Sequence, residues 1–191
     1  MSHFFAYISK MKWIKRWGLM KNTAEENIME HSWQVAVVAH GLAVIKNEFF
    51  GGSVDPEHIA LLALFHETGE VITGDFATPV KYFNPEMKNA VHDMEHLAKS
   101  RIHKMLPREL QHSYEPLIFP DERGEDYRIV KAADRICAYL KCVEELKWGN
   151  REFEKAEASI RRDIEAIDRD EVRYFMTHFA ESFSLTLDEL N

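Results

Sequence analysis

Between Asn27 and Phe50 the sequence holds an apolar stripe at helical spacing. Ile28, His31, Val35, Val38, Leu42, Ile45 and Phe49 fall within about a 100° arc at 100° per residue, and Gly51-Gly52 supplies a strong stop. A chain that must bury this stripe has little punctuation elsewhere: eight glycines and six prolines in 191 residues, roughly half the usual share. Long helices are the expected result.

The remaining pattern agrees. Phe4, Ile8, Met11 and Ile14 form a first stripe, with Lys10, Lys12 and Lys15 off it, until Gly18 interrupts. A basic amphipathic piece of this kind suits a membrane surface or docking onto a core. The aromatic residues Phe4, Phe5, Tyr7, Trp13 and Trp17 favour docking. The second helix runs from near Asn27 to Gly51-Gly52. A third opens with Asp55 as N-cap and Pro56 at N1, presents Ile59, Leu62, Ala63 and His66, and ends near Gly69. Gly74, Pro79, Asn84 and Pro85 mark a loop. A fourth helix from Pro85 to about Leu106, stopped by Pro107, buries Met87, Val91, Met94 and Ala98. A long helix spans about Asp126 to Leu146 before Gly149-Asn150, and Arg151 to Phe183 reads as one or two more, rich in i,i+4 charge pairs. The expected class is all-α, one compact helical bundle over residues 1–191.

Composition excludes several functions. The net charge of −8 argues against coating a nucleic acid polymer by counterion release. The longest mostly apolar run, Val35 to Ile45, is interrupted by His40 and Gly41 and falls short of the roughly 20 residues a membrane span needs. The N-terminus lacks the apolar run and cleavage site of a signal peptide, so a cytoplasmic protein is expected. Cys137 and Cys142, five apart on one helix, rise too far along its axis for a disulfide; reduced thiols are expected.

Two buried stripes carry a histidine, and the long helix carries Asp134 among Val130, Ala133, Cys137 and Ala138. A lone core histidine is usually a hydrogen-bonded structural residue, and a lone buried Asp usually pairs with a neighbour such as Arg135. Taken together, His31, His66-Glu67 and Asp134 assemble two imidazoles and two carboxylates that a divalent metal would satisfy. Mixed nitrogen and oxygen ligation suits Mn, Fe, Co, Ni or Zn, with room left for water. His92 and His96, with His103 nearby, flank the buried face of the fourth helix and make a weaker metal candidate.

These residues sit in longer recognisable stretches: Glu30-His31-Ser32, Phe65 to Asp75, Thr78 to Asn84, Lys131 to Asp134, Ser2 to Ala6 with Arg16-Trp17, and Leu185 to Glu189. Over nearly its whole length the chain resembles the bacterial 5′-deoxynucleotidase branch of the HD-domain superfamily. The resemblance implies a single HD-type phosphohydrolase domain, usually a homodimer, that removes phosphate from 2′-deoxyribonucleoside 5′-monophosphates by attack of a metal-bound water. It implies His31, His66, Glu67 and Asp134 as ligands of one divalent transition metal, with Co, Mn or Zn in view. It also implies Arg16 as the phosphate-orienting residue, Trp17 against the deoxyribose, and Glu70 in the catalytic stretch. Asp75 is the implied proton donor to O5′. Phe76, Ala77 and Thr78 belong to a substrate segment, and Glu67 and Asp134 also face the substrate. One departure matters: the family's His-Asp pair reads His66-Glu67, which moves the carboxylate outward by about one methylene and bears on denticity and metal preference.

The chemistry needs such an inventory. Phosphate monoesters hydrolyse extremely slowly unaided, so the site must supply a nucleophile at neutral pH, a guanidinium grip on phosphate and an acid for the leaving oxygen. Two other readings stay open at this point: an HD-type phosphohydrolase acting on a cyclic nucleotide or an alarmone, and a non-catalytic nucleotide sensor.

Overall fold

The computed structural model describes every residue, Met1–Asn191. The fold is all-α, and the one β feature is an isolated antiparallel bridge between Lys15 and Asn27. Ten α-helices follow in order: α1 Phe4–Ile8, α2 Ile28–Phe50, α3 Pro56–Phe65, α4 Glu70–Thr73, α5 Thr78–Lys81, α6 Pro85–His103, α7 Arg108–Ile118, α8 Glu125–Lys147, α9 Glu154–Glu165 and α10 Asp170–His178. Short 3-10 turns occupy Ser9–Trp13, Arg151–Phe153, Ala180–Ser184 and Leu187–Leu190. Two groups of residues are each compact: 1–21, 25–33 and 64–121 form the first, and 22–24, 34–63 and 122–191 the second.

In the first group, Phe4, Ile102, Leu106 and Ile118 make a fully buried cluster, with Ile8, Phe65, Val71 and Tyr114 packed around it. The N-terminal piece therefore docks through Phe4, as its aromatic content predicts, while Trp13 and Phe5 stay exposed. Asn84 caps α6 by accepting from the Met87 amide. That helix buries Val91 and Ala98 but leaves Met87 and Met94 largely exposed, so its apolar face is narrower than the sequence suggests. It stops at His103, and α7 follows Pro107 directly, an element the sequence reading lacks. His103 turns its Nε2 to the Gln111 carbonyl at 2.9 Å, and His96 lies against Phe119. These histidines bind α6 to its surroundings and do not gather.

In the second group, α8 packs against α9 and the Ala180–Ser184 turn. Ile129, Val130, Ala133, Ile136, Cys137, Leu140 and Cys142 supply its buried side, and each large apolar side chain there contributes about 1.5–3 kcal/mol. Both cysteines are buried and form no disulfide. Phe49, expected on the buried stripe of α2, is 60% exposed and stacks on Tyr174 with centroids 4.9 Å apart. Glu145 and Lys141 are a buried ion pair. The carboxylate also accepts from the Thr23 amide at 2.8 Å and from Nδ2 of Asn150 at 2.7 Å.

Candidate active site

The helix that carries His31 is started by a reciprocal cap. Oδ1 of Asn27 accepts from the amides of Met29 and Glu30 at 3.0 Å, and Glu30 reaches back to the Asn27 amide, the box that satisfies orphan N–H groups of a first turn. His31 then lies one turn in, 1% exposed.

His66 and Glu67 lie off the helix that was expected to hold them. The Phe65 carbonyl accepts from both the amide and the hydroxyl of Thr68, at 3.1 and 2.7 Å, which ends α3 at Phe65 and not near Gly69. Residues 66–69 form a turn, and α4 restarts at Glu70. Gly69 has a close-packing role there: a Cβ on it would come 3.2 Å from the carbonyl oxygen of Glu95 on α6. Within this turn Nε2 of His66 is 3.1 Å from Oε1 of Glu67, and the His66 ring centroid is 5.5 Å from that of His31.

Asp134 sits on α8, half-buried, and pairs with Lys131 at 2.6 Å; Arg135, its expected neighbour, turns to Asp163. The donor atoms of His31, His66, Glu67 and Asp134 all lie within 4.8 Å of one another.

Around these donors the first group brings further charge. Glu70 is buried, and its carboxyl is pushed up to about 10, chiefly by burial and then by the negative charge of Glu67 and Asp75, against the pull of Arg16. Asp75, just after the left-handed Gly74 that ends α4, is raised by burial. Arg16 opposes this rise, as does a hydrogen bond from the Trp17 backbone amide. Arg16, Glu67, Glu70 and Asp75 are thus one electrostatic group. Phe76, Ala77 and Thr78 are placed beside it by chain connection to Asp75 alone; Ala77 caps α5 and Thr78 opens it.

One residue of this neighbourhood escaped the sequence reading. Oε2 of Glu26 lies 3.1 Å from Nε of Arg16 and accepts from the Trp17 indole at 3.1 Å, while its Oε1 is 3.8 Å from Nδ1 of His31. The Lys15 to Asn27 bridge brings the two segments together, with the Arg16 amide donating to the Glu26 carbonyl at 2.9 Å. A contact across ten residues of chain leaves no periodic signal. Trp17 itself has φ 58°, a left-handed conformation that costs a bulky side chain about 1–2 kcal/mol.

Residues 3–183 match the family described as 5′-deoxynucleotidase YfbR-like. The chain belongs to that family. A protein named 5′-deoxynucleotidase from Vibrio cholerae serotype O1 is 52% identical over all of this chain and 98% of the relative. One from Vibrio atlanticus is 50% identical with the same coverage. The fold is shared with an HD-domain phosphohydrolase from Listeria innocua at TM-score 0.82 and 22% identity, covering 95% of this chain and 88% of that one. The cyanophage S-2L HD phosphohydrolase DatZ, bound to dA and one catalytic Zn2+ ion, matches at TM-score 0.62 and 19% identity, over 94% of this chain and 95% of that one.

Proposed function

We infer that this protein is a metal-dependent 5′-deoxynucleotidase, which hydrolyses 2′-deoxyribonucleoside 5′-monophosphates to deoxynucleoside and phosphate. The observation that carries the reading is the four-donor cluster of His31, His66, Glu67 and Asp134 in a chain about half identical, over its full length, to proteins named 5′-deoxynucleotidase.

The residues present fit a divalent transition ion. Two imidazoles and two carboxylates are a donor set that Co, Mn and Zn accept. Two atoms bound to one ion at about 2.0–2.2 Å lie at most about 4.4 Å apart, so donors spread over 4.8 Å need only small side-chain rotations to share one. The negative charge of Glu67 and Asp75 helps to push the Glu70 carboxyl up to about 10, a crowding of acidic groups that a bound cation would relieve. We assign His31, His66, Glu67 and Asp134 to holding it, with Co, Mn and Zn as the candidate metals. Once bound, such an ion supplies positive charge against the phosphoryl oxygens and brings the pKa of water toward about 7.

The other steps belong to the side chains of this chain. Arg16 grips two phosphate oxygens through its planar guanidinium. Trp17, the next residue, lies against the deoxyribose, and Phe76, Ala77 and Thr78 continue the substrate wall, with Glu67 and Asp134 at its metal end. In-line attack on phosphorus opens the P–O5′ bond, and Asp75 donates the proton that O5′ needs. Glu70 orients the attacking water, and it would take the water's proton only where a bound cation offsets the burial and acidic neighbours that push its carboxyl up to about 10.

We further propose that residues 1–191 act as one domain, as a homodimer, in the cytoplasm. Support comes from α2 and α3, each of which contributes residues to both compact groups. The two thiols are buried and unbridged, and no helix is long and apolar enough to cross a membrane. The net charge of −8 suits a small nucleotide handled by a local cationic clamp better than a nucleic acid polymer.

The test is phosphate release from matched deoxy- and ribonucleoside monophosphates after chelation and readdition of single metals. Turnover restored by one or more of these metals, with deoxynucleotides preferred, is the expected result. Tight deoxynucleotide binding with no phosphate released under any metal would replace the enzyme by a sensor.

A further inference from the structure

We propose that Glu26 is a positioning residue of this site, whose carboxylate sets the orientation of Arg16 and Trp17 together. The proposal rests on the reading of Arg16 as the phosphate clamp and Trp17 as the sugar wall.

One oxygen serves both partners. Oε2 of Glu26 is 3.1 Å from Nε of Arg16 and accepts the indole N–H of Trp17 at 3.1 Å. The contact at Nε is an ion pair without the alignment of a hydrogen bond; it draws that edge of the guanidinium toward the carboxylate by charge and so biases where the edge formed by the two terminal nitrogens points. The indole bond does the same for the ring of Trp17 about its side-chain torsions. A carboxylate that holds neighbouring residues through a single atom cannot move one without the other.

The backbone shows that the side chain is not needed to close this part of the fold. The Arg16 amide donates to the Glu26 carbonyl at 2.9 Å, and the Ile28 amide to the Ile14 carbonyl at 3.0 Å. These two main-chain bonds flank the Lys15 to Asn27 bridge. The segments would stay joined with any residue at position 26. A carboxylate there is nonetheless kept largely from solvent, 12% exposed, where a charge is costly unless it is paired.

Trp17 adds a second, independent sign. Its φ of 58° is a conformation that bulky residues avoid, and strain of this kind persists where the surroundings over-determine it and gathers at functional sites. Its amide bonds Asp75 and its indole bonds Glu26, so both ends of the residue are held. The other oxygen of Glu26 stands 3.8 Å from Nδ1 of His31, beyond hydrogen-bonding range. At that distance the carboxylate meets the metal ligand by charge alone, and retained metal per chain tells an effect on His31 from one on the clamp and the wall.

The experiment measures phosphate release from dAMP and AMP for the wild type, Glu26→Gln, Glu26→Asp, Arg16→Ala and the Glu26→Gln/Arg16→Ala pair. Retained metal per chain and melting temperature are recorded for each. In Glu26→Gln, kcat/KM for dAMP should fall by about tenfold or more and the dAMP-to-AMP ratio by about threefold, with metal content and melting temperature held. Glu26→Asp should recover part of both losses. The pair should lose less than the product of the two single losses, because the part of Glu26's effect that runs through Arg16 is already gone while the part that runs through Trp17 remains. A Glu26→Gln enzyme with wild-type kcat/KM and selectivity beside an impaired Arg16→Ala would overturn the positioning role and leave the clamp standing. Losses that multiply in the pair would overturn it too, as would a fall in melting temperature with the dAMP-to-AMP ratio unchanged. An Arg16→Ala enzyme of full activity would remove the clamp reading, and Glu26's role with it.

Discussion

Nε2 of His66 lies 3.1 Å from Oε1 of Glu67, so two consecutive residues of one turn bring an imidazole nitrogen and a carboxylate oxygen to the same side. Glu67 carries its carboxylate on a longer arm than an Asp would, and it does so from the turn closed by Thr68 and not from a helix face. Glu67→Asp is therefore expected to keep activity within about tenfold with an altered metal preference, while Glu67→Gln loses about a hundredfold or more through the missing charge. Turnover of dAMP across a panel of single metals decides. Identical profiles for the wild type and Glu67→Gln would show that this carboxylate does not coordinate.

His31 and Asp134 reach the cluster from different helices. His31→Ala and Asp134→Ala should each abolish both metal retention and turnover, since either leaves three donors where four converge. Metal content after dialysis, read beside phosphate release, checks this. Full activity in either variant without stoichiometric metal ends the metallohydrolase reading.

The sequence exposes this cluster because a histidine on an apolar stripe is visible from periodicity alone, as His31 is on the stripe of Ile28, Val35 and Val38. Asp134 stands out in the same way among Val130, Ala133 and Cys137. Other features depend on contacts that periodicity does not encode. The end of α3 at Phe65 is set by the hydroxyl of Thr68. Helix α7 is bracketed by Pro107 and contains Pro116, which read as breakers although Leu110, Tyr114 and Leu117 keep helical spacing. Glu26 meets Arg16 across the bridge, and Glu145 meets Thr23 from 122 residues away. Both are carboxylates whose partners lie far along the chain or across a turn, and they look like ordinary surface charge until the fold is known.

Glu145 is expected to carry a measurable, acid-sensitive share of stability. Burial alone would raise its carboxyl, but hydrogen bonds from Lys141, Asn150 and the Thr23 amide outweigh this and lower it from the ordinary 4.5 to about 2. A folded-state value below the unfolded one stabilises the fold at pH above about 4.5, and that contribution is lost as pH falls toward 2. The side chain is 1% exposed, so the shift corresponds to about 3 kcal/mol at neutral pH. Glu145→Gln should lower stability to denaturant by about this amount at pH 7, because Lys141 is left as a buried charge without its counterion. The gap between variant and wild type should narrow below pH 4.5. A gap that stays constant from pH 7 to 3 would show that the pair contributes through packing and not through charge.

Sugar selectivity has to come from the wall of the site, because the reacting phosphorus is remote from the 2′ position. Trp17 follows the clamp Arg16, so phosphate held by Arg16 brings the sugar within reach of the indole. On the proposed reading, the bulk of that ring would exclude a 2′-hydroxyl and deny it a hydrogen-bond partner. Trp17→Ala and Trp17→Gly together separate this role from simple packing. Alanine keeps the strain of a non-glycine residue at φ 58°, whereas glycine relieves it, so the two differ in stability while both remove the ring. Selectivity that depends on the ring predicts a dAMP-to-AMP ratio of kcat/KM about tenfold lower in both folded variants. A packing role predicts equal losses toward both nucleotides that track melting temperature, smaller for glycine than for alanine. Equal factors for dAMP and AMP in both variants would mean that the indole does not discriminate the sugar, even in an enzyme that prefers deoxynucleotides.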